Sequence, residues 1–117
     1  MRIRTVALAV IGALVVAGVA AAMTVPKLKG SLTNSSILLK TSKGKTVKTL
    51  RAGKYTFVVK DTASIHNFTL DGPGLEDKTI TGTGFTGTKS ATLKLKKGTY
   101  EYYCTIHPDL EGKFKIT

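Results

Sequence analysis

Near its carboxyl end this 117-residue chain contains the segment Tyr100–Leu110 (YEYYCTIHPDL). Side chains in the first half of the segment point alternately to the two faces of a predicted strand, so that Tyr100, Tyr102 and Cys104 lie on one face. A turn follows, and His107 comes three residues after the cysteine. A thiolate and an imidazole at this spacing can reach one metal ion if the strand end bends back. Sulfur with nitrogen favours copper, zinc or iron over magnesium or calcium.

The chain has one other histidine, His66, and it completes a set of three candidate ligands. Period-two alternation places His66 on one face of a predicted strand and Asn67 on the opposite face. Together with Cys104 and His107, it supplies two nitrogens and one sulfur. A trigonal set of this kind, with at most a weak axial fourth ligand, is what a blue-copper electron-transfer centre requires.

Short alternating runs separated by turn residues make up most of the chain, and no helical periodicity appears after the amino-terminal region. Asp71–Leu75 is predicted to be a loop, and Thr79–Phe85 a weak strand at a sheet edge. The pattern predicts an antiparallel sandwich or barrel of six to eight strands. The predicted strands are Ile37–Thr41, Thr46–Leu50, Tyr55–Lys60, Ile65–Leu70, Thr79–Phe85, Ala91–Lys96, Thr99–Cys104 and Lys113–Thr117.

The amino terminus has the pattern of an export signal. Met1–Arg4 is basic, Val6–Ala22 is apolar and uncharged, and the alanine triplet at its end fits a signal-peptidase site. Cleavage would leave Met23 as the first residue, and an uncleaved membrane anchor is the alternative. We therefore expect an exported protein that is periplasmic, at the cell surface or extracellular.

Three parts are predicted along the chain: a signal peptide at 1–22, a linker or first strand at 23–36, and a folded domain at 37–117. The net charge is +11, from 18 basic and seven acidic residues. No basic block of the kind that binds nucleic acid is present. The scattered lysines fit the solvated faces of strands, and the alternative is a docking surface for an acidic partner. A single cysteine excludes an internal disulfide.

Three motifs in order resemble the cupredoxins, in particular the small plastocyanin- and amicyanin-like bacterial proteins: His66–Phe68, Lys97–Tyr100 and Tyr103–Pro108. The resemblance covers roughly residues 37–117. It implies a Greek-key β-sandwich that holds one copper ion near one end. The implied ligands are His66, Cys104 and His107, and Asn67 would tie the two ligand loops together. The family also implies an apolar patch around the exposed edge of the second histidine, here formed by Pro108, Leu110, Pro73 and Leu75.

Leu110 departs from the family pattern, because short-loop members have methionine at this position. No methionine follows Met23, so we expect Leu110 to occupy the axial position without binding the metal. Asp109 or Glu111 could supply an oxygen ligand instead, although a hard anionic oxygen suits Cu(I) poorly.

The expected function is one-electron transfer between transient protein partners by a monomeric copper protein. The alternatives are a copper carrier or storage protein that delivers copper to other exported proteins, a zinc site, and a cupredoxin fold that has lost its metal. An enzyme built on Cys104 and His107 is not expected, because no motif supplies the orienting partner and oxyanion site that a thiol nucleophile needs. We expect no nucleic-acid partner, and membrane association only if the amino-terminal segment is retained.

Overall fold

The computed structural model describes residues 24–117, which form two packed β-sheets. The predicted signal peptide lies outside the described residues. Among those residues there is no helix of the length and apolar character needed to cross a bilayer. The strands are β1 (Lys27–Leu32), β2 (Ile37–Thr41), β3 (Thr49–Leu50), β4 (Gly53–Asp61), β5 (Phe68–Gly72), β6 (Leu75–Thr81), β7 (Gly87–Leu95), β8 (Gly98–Cys104) and β9 (His107–Ile116).

One sheet has the strand order β2-β1-β4-β7, and the other has the order β3-β9-β8-β5-β6. Five of the strand pairings are antiparallel, whereas β1 pairs with β4 and β3 pairs with β9 in parallel. The parallel pairs arise because the chain crosses between the sheets, so that neighbouring strands are distant in sequence. The predicted all-β sandwich is confirmed. Its sheets are mixed and contain nine strands, where the sequence predicts six to eight antiparallel ones.

The first strand lies within residues 23–36, the segment for which the sequence predicts either a linker or a first strand. β1 buries Leu28 and Leu32, which are 2% and 0% exposed, while Lys27 and Lys29 face solvent. It lies between β2 and β4 in the middle of its sheet. The sandwich therefore begins before the domain boundary predicted at Ile37. The alternating pattern of this segment contains only two leucines among basic and polar residues, which is too short to identify the strand from sequence.

Several strand ends differ from the predicted ones. The run Ile65–Leu70 becomes a strand only at Phe68, because the residues before it form a turn at the end of the sandwich. Thr46–Leu50 shortens to its last two residues. The weak strand predicted at Thr79–Phe85 lies earlier, as β6, and it does occupy a sheet edge. The loop predicted at Asp71–Leu75 shrinks, since only two residues separate β5 from β6.

Aromatic rings from β5, β8 and β9 stack in the centre of the core. The centroids of Phe68 and Tyr102 are 5.8 Å apart, and those of Tyr100 and Phe114 are 5.5 Å apart. Such pairs contribute about 0.5–1.5 kcal/mol each beyond their burial. Gly112 lies under the Tyr102 ring, which occupies the space that any side chain at that position would need. The stack thus holds β8, the strand that ends in the cysteine, firmly against β9.

Gly112→Ala should lower the free energy of unfolding by about 1–3 kcal/mol, because the added methyl group overlaps a ring that cannot move without disturbing the stack. The matched control is Gly82→Ala, since an added Cβ there has no atom within 4 Å. It should change stability by less than about 0.5 kcal/mol. Denaturant unfolding of the metal-free proteins measures both values. Equal losses in the two variants would contradict this packing.

Candidate metal centre

The structure brings together the three side chains that the sequence singles out as ligands. Cys104 is the last residue of β8 and His107 is the first of β9, and a two-residue turn joins them. His66 comes just before β5, which pairs antiparallel with β8 in a register that places Thr69 opposite Tyr103. Antiparallel pairing puts the start of one strand beside the end of its neighbour. His66 therefore lies beside Cys104 at one end of the sandwich.

The three donor atoms form a compact triangle. The Nδ1 atoms of His66 and His107 are 2.9 Å apart, and the Sγ atom of Cys104 lies 3.7 Å from each of them. The centre of this triangle is about 2.0 Å from all three atoms, which equals the length of a metal–imidazole bond and is about 0.3 Å shorter than a metal–thiolate bond. The group could therefore hold one metal ion, and two nitrogens with one sulfur suit copper.

A backbone carbonyl orients the first histidine. The Nε2 atom of His66 lies 2.8 Å from the carbonyl oxygen of Asn34, which belongs to the turn between β1 and β2. A carbonyl only accepts hydrogen bonds, so Nε2 carries the proton and Nδ1 presents its lone pair to a metal ion. Sequence reasoning missed Asn34, because its contribution is a backbone atom that any residue type would supply. The only signal was the turn composition of residues 33–36.

Asn67 makes hydrogen bonds to both ligand segments. Its backbone N–H donates to the Sγ atom of Cys104 at 3.4 Å. Its side-chain amide donates to Oγ1 of Thr105 at 2.8 Å, and its Oδ1 accepts from the Thr105 backbone N–H at 3.1 Å. The hydroxyl of Thr69 donates to the same oxygen at 2.8 Å. These contacts join the turn after Cys104 to the segment of His66.

A third loop, between β6 and β7, is attached to the same network. Asn67 Nδ2 donates to Oγ1 of Thr83 at 3.0 Å, and the N–H of Gly84 donates to the carbonyl of Ser64 at 2.7 Å. This contact has no signal in the amino-acid sequence, because a segment rich in threonine and glycine indicates only a weak strand.

The candidate site is buried on one side and open at one edge. Cys104 and His66 are 0% and 4% exposed, whereas His107 is exposed. A buried thiol is closed to substrates, which disfavours a thiol nucleophile. Ile65 and Ile106 are neighbours of the two histidines in sequence, and they are 52% and 56% exposed. We call these two isoleucines the apolar rim.

The patch that the resemblance predicts around the second histidine is partly wrong. Pro73 packs over Gly98, and its carbonyl accepts a hydrogen bond from the Tyr100 hydroxyl at 2.6 Å. Because β8 runs from Gly98 to Cys104, Pro73 and its neighbour Leu75 lie at the opposite end of the sandwich. The reason is that β5 runs antiparallel to β8. Its first residue lies near His66, and its last residue, which precedes Pro73, lies at the opposite end of the sandwich.

Leu110 lies on the inner face of β9, where it is half-buried and packs against the core. Asp109 and Glu111 are exposed. The carboxylate of Glu111 faces Glu101, and this contact is the largest reason why the pKa of Glu101 is raised, with burial second. Glu111 thus points to the outer surface of its sheet and away from the three donor atoms, which disfavours it as an oxygen ligand.

No protein-family model and no curated protein matches this sequence. Several solved structures do match. A reduced tryptophan-to-tyrosine variant of amicyanin is 19% identical, covers 84% of this chain and 89% of that chain, and has a TM-score of 0.51. An oxidised proline-to-alanine variant of amicyanin is 20% identical over 84% and 89% of the two chains, with a TM-score of 0.50.

A methionine-to-glutamine variant of rusticyanin is also 20% identical, covering 78% of this chain and 76% of that chain with a TM-score of 0.50. At this level of identity the likeness defines the fold. The described residues adopt the cupredoxin β-sandwich, which confirms at the level of the fold the resemblance seen in the sequence.

Asn67→Leu should lower the free energy of unfolding of the metal-free protein by about 2–4 kcal/mol, because several buried groups lose their hydrogen-bond partner. The matched control is Asn34→Ala, which keeps the backbone carbonyl that binds His66 and should cost less than about 0.5 kcal/mol. Denaturant titrations measure both. A loss below about 1 kcal/mol in the Asn67 variant would show that its contacts do not hold the loops together.

Proposed function

We propose that this protein is an exported blue-copper protein that carries single electrons between other proteins. One observation carries the proposal: the triangle of His66 Nδ1, Cys104 Sγ and His107 Nδ1 at the end of a cupredoxin sandwich, with edges of 2.9, 3.7 and 3.7 Å. The amicyanin structures that match in fold include a reduced and an oxidised form, which supports a redox role. The amino-terminal sequence pattern supports export.

Copper bound by these three side chains would supply a reversible one-electron couple. The protein's own groups hold the donor atoms in place before any metal binds. The Asn34 carbonyl fixes the ring of His66, and the Asn67 N–H donates to the sulfur of Cys104. A hydrogen bond to sulfur withdraws electron density from the thiolate and so influences the reduction potential. Donors fixed in this way need little rearrangement when the metal changes its oxidation state.

Electrons would enter and leave at His107, the only one of the three proposed ligands with an exposed edge. The apolar rim beside it offers two large hydrophobic side chains for contact with a partner. Such a small patch suits the weak, transient interfaces of redox proteins, which bury less than about 1,200 Å². Transient docking of a monomer at this edge would bring the electron donor or acceptor close to the site.

A copper carrier is the second candidate, and the exposure of His107 favours it, since an acceptor's ligand could displace an imidazole that is open to solvent. The two functions differ in how fast the ion leaves. An electron carrier keeps its copper through many redox cycles, whereas a copper carrier gives it up to an acceptor or to a chelator. The rate of Cu(I) transfer to a chelator therefore separates them.

The protein should bind one equivalent of Cu(II) and become blue, because thiolate-to-copper charge transfer absorbs visible light. Cys104→Ser should remove the colour, whereas Tyr103→Phe, which alters the neighbouring side chain on the outer face of β8, should keep it. Visible absorption and metal analysis measure these outcomes. Colourless binding with a Cys104 thiol that still reacts with thiol reagents would contradict the proposal.

Leu110→Met should lower the reduction potential by about 50–100 mV, the equivalent of about 1–2 kcal/mol for one electron. A thioether in the axial position stabilises Cu(II) more than Cu(I), and the similar volume of the two side chains keeps the packing cost below about 1.5 kcal/mol. Leu93→Met is the matched control, since Leu93 is also half-buried against the core but lies on β7. Voltammetry should show no change in the reduction potential of the Leu93→Met variant. An unchanged or higher potential for Leu110→Met would place another group in the axial position.

A further inference from the structure

Charged residues are divided unevenly between the two sheets. The strands of the four-stranded sheet contain seven lysines and one acidic residue, Asp61, which is buried. The strands of the five-stranded sheet contain three lysines and six of the seven acidic residues of the chain. The formal charges of the two sets of strands are therefore +6 and −3. Lysines that merely covered solvated strand faces would not separate by sign in this way.

Six of these lysines share the outer surface of the four-stranded sheet. Their positions follow from the strand alternation and from the pairing register of β1 with β2, β1 with β4 and β4 with β7. No acidic side chain lies among them, because the buried Asp61 belongs to the inner face of β4. We call this surface the lysine face; its members are Lys27, Lys29, Lys40, Lys54, Lys60 and Lys94.

The lysine face places like charges directly opposite each other. Lys29 is in register with Lys40 on the neighbouring antiparallel strand, and Lys54 is in register with Lys94. Like charges in directly opposed positions destabilise a sheet. Two such pairs on one surface are difficult to explain by folding alone, and a bound anionic surface would relieve the repulsion in both.

A shallow depression of about 480 Å³ lies on the same face. Its lining includes Lys27, Lys29 and Lys60, with Ser31 and Val58 between them. Three lysines that line one open depression bring their positive charges to the same part of the lysine face.

The chemistry of the face identifies the kind of partner. Its outward positions carry lysine, serine, threonine, leucine and valine, but neither arginine nor an aromatic residue. Specific protein interfaces are enriched in arginine and aromatic residues and depleted in lysine. Proteins that bind single-stranded nucleic acid use aromatic side chains as stacking platforms. Lysine is a compact, strongly hydrated charge that suits a diffuse array of anions.

We propose that the lysine face docks on the surface of a lipid bilayer that contains anionic phospholipids. Each lysine close to such a surface strengthens binding about fivefold. The sequence is compatible with this arrangement, since the apolar run Val6–Ala22 ends shortly before Lys27, the first residue of both β1 and the lysine face. His107 belongs to the other sheet and lies at the end of the sandwich. It stays accessible to a partner while the lysine face is covered.

The proposal is independent of copper, and amine-reactive acylation of the full chain tests it. The chain is labelled on phosphatidylcholine vesicles with and without phosphatidylglycerol, and mass spectrometry measures acylation at each lysine. Anionic vesicles should protect Lys27 and Lys94 about fivefold or more relative to neutral vesicles. The lysines of the five-stranded sheet, Lys78, Lys113 and Lys115, should react equally on both. Protection is scored as the ratio between the two kinds of vesicle, so protection that comes only from insertion of the amino-terminal segment, which would occur on both, cancels.

Two matched triple variants complete the test. Lys29→Gln/Lys54→Gln/Lys60→Gln should reduce the protection of Lys27 and Lys94 to less than about twofold, while Lys78→Gln/Lys113→Gln/Lys115→Gln should leave it unchanged. Both variants lose three positive charges, and circular dichroism should show both to be folded. Equal loss of protection in the two variants would overturn the proposal, as would equal protection on neutral and anionic vesicles or protection that appears only when an acidic protein is added. Copper uptake is scored separately, so failure of this proposal is distinct from failure of the copper site.

Discussion

The hydrogen bonds of the buried Asn67 are the constraint on which the candidate site depends. One residue bonds to the sulfur of Cys104, to the turn that leads to His107 and to the loop between β6 and β7. Each loop alone would be free to move, because short connections at the end of a sandwich have few packing contacts. Joined through one buried amide, they keep two nitrogens and one sulfur close enough to share an ion. The aromatic stack below supports the same strands from the core.

Sequence reasoning identified the three donor residues because each ends or follows an alternating run and their chemistry is rare in this chain. It also identified most strands, since period-two burial leaves a clear pattern in β4 and β8. It did not place β1, where only two leucines mark the buried face. It also missed the Asn34 carbonyl and Thr83, because hydrogen bonds between loops depend on how distant turns meet in space. The predicted position of Pro73 was wrong for a related reason: a residue's place in the chain does not reveal which end of the sandwich its loop reaches.

The two sheets give the molecule surfaces of different character. The end that carries His107 exposes two isoleucines, the outer surface of one sheet is lysine-rich, and the strands of the other sheet carry most of the acidic residues. Separation of these surfaces would allow a protein held by its lysine face to exchange electrons at a free end. A total charge of +11 conceals this arrangement, since it becomes visible only when the strands are assigned to sheets.

The central claim is that His66, Cys104 and His107 together hold one copper ion in a site whose shape is fixed by the surrounding hydrogen bonds. X-ray absorption at the copper edge tests it most directly, with the protein measured in both oxidation states. Two imidazole nitrogens and one sulfur are expected in each state, at distances that change by less than about 0.2 Å between them. Absence of the sulfur, or loss of an imidazole on reduction, would contradict it.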